Sequence, residues 1–219
     1  MTLEILEKIT TIKGNEIAFL KIKSAQPKAK NILFLGVTHG EEPQGKFLIE
    51  KFLKKIKEEK QNFNNNLYFI PCLNPDGMAK GKRGNSNNVD INRNFPTKNY
   101  IKTTFDDGTT SGDFANSETE TKFLSNIIEN IKFDVILSFH APFAVVNYDG
   151  NAQNIAQKIS EITGYPVQAD IGYPTPGSFG TFCGAERKIP IITLEVSDKL
   201  SEEELWKQNE PVFSFLANL

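Results

Sequence analysis

The sequence predicts an α/β fold, in which a central sheet is covered by helices. Short apolar runs rich in β-branched and aromatic residues alternate with longer amphipathic segments along the 219 residues, a pattern typical of layered α/β domains. The two histidines of the chain, His39 and His140, each closely follow one of these apolar runs. Because ligands bind beyond the carboxyl ends of strands in open α/β sheets, we expect both histidines to lie near a site.

Five segments are predicted as strands. Residues 31–37 (NILFLGV) and 67–73 (LYFIPCL) are short and almost entirely apolar, which is typical of strands that are buried on both faces. The runs at 133–139 and 189–196 have the same character. An earlier strand is predicted at 16–22.

Four segments are predicted as helices from their amphipathic spacing. Ser117 with Glu120, and Ser201 with Glu204, match the capping box that marks a helix start. Gly164 is expected to end a helix, since glycine readily adopts the left-handed conformation of a helix C-terminus. The predicted helices cover residues 42–58, 117–130, 151–163 and 201–216.

Residues 74–113 form a long segment without a helical period, and they contain five glycines and two prolines. Irregular segments of this length inside a compact domain are usually functional or disordered. This one is rich in asparagine, aspartate and arginine, which favours a functional role. No linker or repeat divides the chain, so a single domain is expected over residues 1–219.

Composition excludes several classes of function. The net charge is −2, and lysine and glutamate are interleaved, so the chain lacks the basic patch of a nucleic-acid-binding protein. No run approaches the ~20 apolar residues that span a bilayer, and residues 1–20 lack the pattern of a secretory signal. We therefore expect a cytoplasmic protein, with Cys72 and Cys183 as free thiols.

A metal site is the first chemical hypothesis. His39 and Glu42 lie three residues apart just after a buried strand, and His140 ends another. Alone, the His39–Glu42 spacing is a weak signal that favours a solvated turn, and His140 alone also fits a buried histidine hydrogen-bonded to the backbone. Together, two histidines and one glutamate form a known catalytic zinc set with an open fourth position.

Other charged residues stand at similar places. Glu195 ends the last apolar run, where it is either a solvated residue at the sheet rim or a general base beside metal-bound water. Arg83 and Arg93 lie in the irregular segment. Their forked donors suit carboxylates and oxyanions, although pairing with Asp76 or Asp90 inside the loop is an equal alternative.

Five motifs, taken in order, give the chain a family resemblance. GVTHGEEP, LNPDG, RGNSNNVDINRNFP, SFHAP and ITLEVS together resemble the zinc carboxypeptidase family over about residues 31–197. DINRNFP is the most specific single piece. The compact length, the HAP sequence at the last metal histidine and the segment GYPTPGSFG at 172–180 are most similar to a short bacterial branch that includes murein peptide amidases.

The resemblance implies a fold and a set of roles. The fold is a three-layer α/β/α sandwich with a mixed, mostly parallel central sheet. One zinc ion is expected as the cofactor, with His39, Glu42 and His140 as its ligands. Glu195 is implied as the general base, and Arg83 as the group that polarises the scissile carbonyl.

Three further residues take roles from the resemblance. Asn92 and Arg93 are implied to hold the free carboxylate of the substrate, and Tyr173 is the candidate for a mobile catalytic tyrosine. The expected substrate is a small peptide, and the expected reaction is hydrolysis of the γ-D-glutamyl–diaminopimelate bond of murein peptides. Alternatives are another carboxypeptidase, an acyl-amino-acid deacylase of the succinylglutamate desuccinylase or aspartoacylase type, and a metal-free peptide-binding relative.

Overall fold

The computed structural model describes residues 2–169 and 172–219. Their strands form one seven-stranded sheet with the order β1-β2-β4-β3-β5-β7-β6. The strands are β1 (Leu3–Thr10), β2 (Glu16–Ile22), β3 (Asn31–Leu35), β4 (Asn66–Ile70), β5 (Val135–His140), β6 (Val145–Asp149) and β7 (Ile191–Glu195).

The sheet is mixed, as expected. The four central strands β4, β3, β5 and β7 run parallel to one another. At one side β2 and β1 add antiparallel strands, and at the other side β6 pairs antiparallel to β7.

Helices cover both faces of the sheet, which confirms the predicted three-layer α/β/α sandwich. Helices α1, α4 and α5 pack on one face and α3 on the other. The helices are α1 (Gln44–Glu59), the short α2 (Pro75–Met78), α3 (Thr119–Asn130), α4 (Gln153–Thr163) and α5 (Glu202–Ala217). No helix within the described ranges is both long and apolar enough to cross a membrane.

Alternating side chains of the central strands build two separate cores. In β3, Ile32 and Phe34 belong to the core beneath α1 and α5, whereas Leu33 and Leu35 belong to the core beneath α3. Successive side chains of a strand point to opposite faces, so a strand covered on both faces must be apolar throughout. Burial on both faces therefore explains why the sequence segments of the central strands are continuously apolar.

Helix ends follow the predictions in two of three places. The Ser201–Glu204 capping box is present at the start of α5, and Gly164 ends α4 with a positive φ of 77°. The capping box predicted at Ser117 is wrong, because α3 begins at Thr119. Instead, Oδ1 of Asn94 accepts hydrogen bonds from the backbone N–H of Glu118 and from the hydroxyl of Thr121.

The topology places a crevice between β3 and β5. From β3 the chain crosses through α1 to β4 on one side, whereas β5 lies on the other side of β3. The carboxyl ends of β3 and β5 are adjacent, since Leu35 of β3 pairs with Ser138 of β5. A reversal of strand order of this kind is where open α/β sheets bind ligands.

Candidate active site

The turn after β3 is held in a strained conformation. Val37 is fully buried and has a φ of 53°, which is unusual for a β-branched residue. The surrounding hydrogen bonds fix it, because the carbonyls of Gly36 and Val37 accept from the N–H groups of Leu73 and Asn74. The turn thereby directs the next residues, which include His39, away from the sheet and over the crevice.

Asn74 ties this turn to the irregular loop. Its side-chain N–H group donates to the carbonyls of Thr38 and Arg83 at 3.3 and 3.1 Å, while its oxygen accepts from the N–H of Gly77. A Cβ on Gly40 would lie only 2.1 Å from the carbonyl carbon of Gly77. The NPDG and HGEE motifs therefore pack directly against each other.

His39, Glu42 and His140 converge, as the sequence predicts. Glu42 Oε1 lies 2.8 Å from His39 Nδ1, and Glu42 Oε2 lies 2.9 Å from His140 Nδ1. The two Nδ1 atoms are 3.2 Å apart, although the residues are separated by 101 positions. All three side chains are buried, and each offers one atom that could ligate a metal ion; these three atoms lie within 4.8 Å of one another.

This donor set fits a zinc ion. Ligand atoms in a tetrahedral site with bonds of about 2.0–2.1 Å are roughly 3.3 Å apart. The three spacings observed here, 2.8, 2.9 and 3.2 Å, are all somewhat shorter than this. Two imidazole nitrogens and a shared carboxylate that face one another all offer electron pairs. A cation among them satisfies all three at once.

Asp90 supports His39 from the opposite side of the ring. His39 Nε2 lies 3.2 Å from Asp90 Oδ1, so donation by Nε2 leaves Nδ1 free to bind a metal. Carboxylate partners of this kind fix the tautomer and orientation of ligating histidines. Asp90 Oδ2 accepts from Nε and Nη2 of Arg83 at 2.9 Å each.

The charges of this cluster shift its pKa values in opposite directions. Burial lowers the pKa of His39, but the negative charges of Glu42 and Asp90 outweigh it and raise the pKa from 6.5 to about 9. Burial likewise raises the pKa values of the Glu42 and Asp90 carboxyls, and their histidine and arginine neighbours hold both well below the usual range. Without metal, the site therefore keeps two carboxylates and a protonated His39 at neutral pH.

Glu195 lies beside the cluster at the end of β7. Its backbone pairs with His140, and both residues line the same cavity. Burial raises the pKa of the Glu195 carboxyl, with Glu42 adding to the shift and His140 opposing it. Its Oε2 has no hydrogen-bond partner within the described part of the chain, so this oxygen is available to a substrate or water.

The two arginines of the irregular segment differ in their surroundings. Arg83 pairs with Asp90 and reaches the cavity beside Glu42, with Nη1 3.9 Å from Oε1. The loop-holding and the functional interpretations of Arg83 are thus compatible. Arg93 is buried, and Nη1 of its guanidinium donates to the carbonyl of Asn92 at 2.8 Å. Arg93 therefore has donors left to offer to a ligand in the cavity.

Asn92 and Tyr173 complete the predicted set. Asn92 Oδ1 accepts from the N–H of Phe179 at 2.8 Å, which leaves the side-chain N–H group to the cavity. Tyr173 also lines the cavity, with half of its surface exposed. All eight predicted residues lie at one cavity of about 480 Å³.

Four aspartates that line this cavity were not assigned by the sequence: Asp90, Asp106, Asp107 and Asp149. Asp90 was considered only as a partner for the arginines, and its contact with His39 depends on long-range folding. Asp149 lines the cavity from β6, a strand that was not predicted. The only signal for Asp149 was its place after the polar-apolar run VVNY.

The comparisons with known proteins give the same assignment. Residues 4–201 match the sequence profile of the zinc carboxypeptidases. The chain belongs to the zinc carboxypeptidase family. Family members use zinc, and the chain presents a His-Glu-His set that could hold it; it is a zinc-dependent hydrolase of peptide or amide bonds.

Among its relatives is murein peptide amidase A of Escherichia coli strain K12, which is 32% identical over 189 residues, or 80% of this chain and 76% of the relative. Murein peptide amidase A of Vibrio campbellii is 33% identical over 175 residues, covering 75% and 68% of the two chains.

Solved structures of the family share the fold. The murein-tripeptide amidase of Escherichia coli O157 superposes with a TM-score of 0.80 at 24% identity and covers 100% of this chain and 92% of its own. Thrombin-activatable fibrinolysis inhibitor gives a TM-score of 0.79 at 18% identity, with coverage of 96% and 67%. At these identities the likeness concerns the fold alone.

Proposed function

We propose that this zinc carboxypeptidase is a murein peptide amidase, which cleaves the γ-D-glutamyl–diaminopimelate bond of cell-wall peptides. The observation that carries the proposal is the convergence of His39, Glu42 and His140 beside Glu195 in one cavity. The identity of about 32% to murein peptide amidases over 80% of the chain supports the choice of substrate.

His39, Glu42 and His140 are the proposed zinc ligands. Bound zinc supplies Lewis acidity, which polarises a carbonyl oxygen and lowers the pKa of bound water towards about 7. Glu195 is the proposed general base, since its unpartnered Oε2 can accept a proton from the attacking water. The same carboxyl then returns that proton to the nitrogen of the leaving amino acid.

Arg83 is proposed to stabilise the negative charge that develops on the carbonyl oxygen. Asp90 holds this guanidinium in place before substrate arrives, and such preorganised donors often contribute the largest part of catalysis. Asn92 and Arg93 are proposed to bind the free carboxylate of diaminopimelate, which orients the scissile bond. Tyr173 is proposed to close over the substrate from the rim.

The direct test is hydrolysis of the tripeptide L-alanyl-γ-D-glutamyl-diaminopimelate by the zinc-loaded enzyme, followed by mass spectrometry. Release of diaminopimelate is expected, and amidation of its free carboxylate next to the scissile bond should slow it by about tenfold or more because Arg93 loses its charged partner. Glu195→Gln is the matched inactive control.

Other outcomes of the same assay identify the alternatives. Cleavage of ordinary C-terminal residues without release of diaminopimelate indicates a general carboxypeptidase. Activity confined to N-succinyl or N-acetyl amino acids indicates a deacylase. Binding of the tripeptide without hydrolysis or zinc uptake indicates a peptide-binding relative.

The proposal treats residues 1–219 as a single peptidase domain, because one sheet carries the proposed ligands, the base and the β6 wall of the cavity. The cytoplasmic location expected from the sequence stays a prediction.

A further inference from the structure

A second cavity adjoins the active site on the side of Arg83. It has a volume of about 400 Å³, and it shares Glu41, Arg83 and Asp107 with the active-site cavity. Asn92 and Arg93, the proposed clamp for the leaving amino acid, line the active-site cavity but not the second one. A peptide held at Arg93 with its scissile carbonyl at Arg83 therefore extends its acyl part towards the second cavity.

The backbone of the second cavity packs against the turn that carries the proposed metal ligands. A Cβ on Gly40 of the HGEE motif would lie 2.5 Å from the carbonyl oxygen of Lys82. Gly40 N–H also donates to the carbonyl of Arg83 at 3.2 Å. Lys80 and Lys82 each donate their backbone N–H to the carbonyl of Gly77 at 3.0 Å. Both lysine side chains thus extend from fixed backbone positions beside the proposed zinc site.

The walls of the second cavity are polar throughout. No apolar side chain is found among the residues of the described ranges that line it. An apolar acyl group gains little in such a place, because burial stabilises apolar surface by removing it from water into apolar surroundings. The second cavity therefore favours a polar or charged acyl group.

Two lysines of this cavity, Lys80 and Lys82, are cations without an internal partner. Neither Nζ forms an ion pair or a hydrogen bond with any residue that the structure describes, and both side chains are exposed. The two carboxylates of the cavity instead face Arg83. Asp107 Oδ2 lies 3.6 Å from its Nε, and Glu41 Oε1 lies 3.9 Å from its Nη1. Two positive charges are thus available to an anionic group of a ligand.

A γ-linked glutamyl residue carries such a group. Because this residue is bonded through its side chain, its own α-carboxylate stays free on the acyl side of the scissile bond. The carboxylate carbon is four carbon–carbon bonds from the scissile carbonyl carbon, an extended reach of about 5 Å at about 1.5 Å per bond. The backbone of an ordinary α-linked peptide has no carboxylate at this place.

We propose that Lys80 and Lys82 form a carboxylate-binding site for the acyl residue of the substrate, which favours a γ-linked residue with a free α-carboxylate. The proposal rests on the proposed function, because that function supplies an acyl residue of this chemistry. Lysine ammonium groups on flexible stems act as mobile point charges, so both can reach one carboxylate. Arg93 recognises the leaving residue, whereas this pair recognises the residue on the other side of the scissile bond.

The test compares substrates that differ only in this carboxylate. One is the tripeptide L-alanyl-γ-D-glutamyl-diaminopimelate, and the other is the same tripeptide with the glutamyl α-carboxylate amidated. A second pair carries a glutaryl group in place of L-alanyl-γ-D-glutamate. The far carboxylate of this glutaryl group, free in one compound and amidated in the other, is at the same distance from the scissile carbonyl.

The kcat/KM values are measured for the wild type and three variants. The double variant Lys80→Gln/Lys82→Gln removes both charges, and Lys80→Arg/Lys82→Arg retains them. The control is Lys54→Gln on α1, where the lysine side chain is 74% exposed. The zinc content of each variant should equal that of the wild type, which reports an intact catalytic site.

We expect the wild type to prefer the free carboxylate by about 5- to 20-fold, less than a buried charged hydrogen bond gives because the lysines are exposed. The glutamine variant should lose this preference, mainly through a lower rate on the free-carboxylate substrate. The arginine variant and Lys54→Gln should keep it. Salt at about 1 M should reduce the preference of the wild type, since exposed charges are screened.

Three results would overturn the proposal: a wild type that does not prefer the free carboxylate, a preference that survives in the glutamine variant, or an equal loss of both rates in that variant. The glutaryl pair separates the proposal from the proposed function. If only the glutaryl pair is hydrolysed, the murein assignment fails while the carboxylate preference is still measured. Hydrolysis of neither pair contradicts both.

Discussion

His39 and Asp90 are in direct contact, with Nε2 of the imidazole 3.2 Å from Oδ1 of the carboxylate. The contact joins the HGEE motif to the DINRNFP motif, which are 51 positions apart. Asp90 also binds Arg83. One buried carboxylate therefore orients a proposed zinc ligand and the proposed oxyanion-stabilising arginine together.

Replacement of Asp90 should weaken zinc binding. In Asp90→Asn the oxygen can still accept from His39 Nε2, but the negative charge that strengthens the ligand is lost. Loss of such a partner typically costs 10- to 100-fold in metal affinity. Competition titration with a zinc chelator measures the change, with Asp113→Asn as the control. An affinity equal to that of the wild type would contradict a supporting role for Asp90.

Replacement of Glu195 should affect turnover and leave metal binding unchanged. Glu195→Gln keeps the shape of the side chain but cannot accept the proton, and general-base catalysis contributes about 10²–10⁴-fold. We expect kcat to fall by about this factor, with zinc content and KM close to those of the wild type. A kcat within about threefold of the wild type would remove Glu195 from the role of base.

Arg93 should discriminate between free and amidated substrate carboxylates. Arg93→Gln is expected to raise KM for the tripeptide by about tenfold or more, the range of a charged hydrogen bond. In this variant, the KM values for the free and the amidated tripeptide should also lie closer together than they do in the wild type. Steady-state kinetics on both substrates separates this effect from a general loss of activity. An unchanged difference would indicate that the carboxylate binds elsewhere.

The stability of the metal-free enzyme should fall as the pH rises from 6.5 to 9. The pKa of His39 is about 9 in the folded state, against 6.5 for an unperturbed histidine. A raised pKa means that protonated His39 stabilises the fold below pH 6.5, and that this stabilisation is lost as the pH rises through about 9. The linked free energy is about 3 kcal/mol.

Thermal unfolding of the chelator-treated enzyme across this pH range measures the effect. His39→Gln should show a flatter dependence, because the titrating group is gone. The unfolding temperature of the zinc-loaded wild type should also depend less on pH, since its His39 binds metal rather than a proton. Equal slopes for all three proteins would contradict the pKa shift.

The sequence predicted the central strands more reliably than the outer ones. Strands β3 and β5 are buried on both faces, so their apolar runs are unmistakable. Strand β1 was missed because almost all of its residues are exposed and carry no core pattern. Strand β6 was missed because it is short and half-buried, and its pairing with β7 depends on residues more than 40 positions away.

Local motifs predicted the positions of the site residues but not the contacts among them. His39, Glu42, His140 and Glu195 could be assigned because each follows or ends a buried strand. The role of Asn94 could not be assigned, because Asn94 replaces the predicted cap by accepting a hydrogen bond from the N–H of Glu118, 24 positions away. Long-range hydrogen bonds of this kind leave no periodic signal in a sequence.

The most direct test of the account is the zinc content of the purified chain, measured by mass spectrometry after exposure to zinc and removal of excess metal. We expect one zinc ion per chain in the wild type. His140→Ala, Glu42→Ala and His39→Ala should each hold close to none while keeping the circular dichroism of the folded protein. One zinc ion retained in all three folded variants, or none in the wild type, would contradict a site built from these residues.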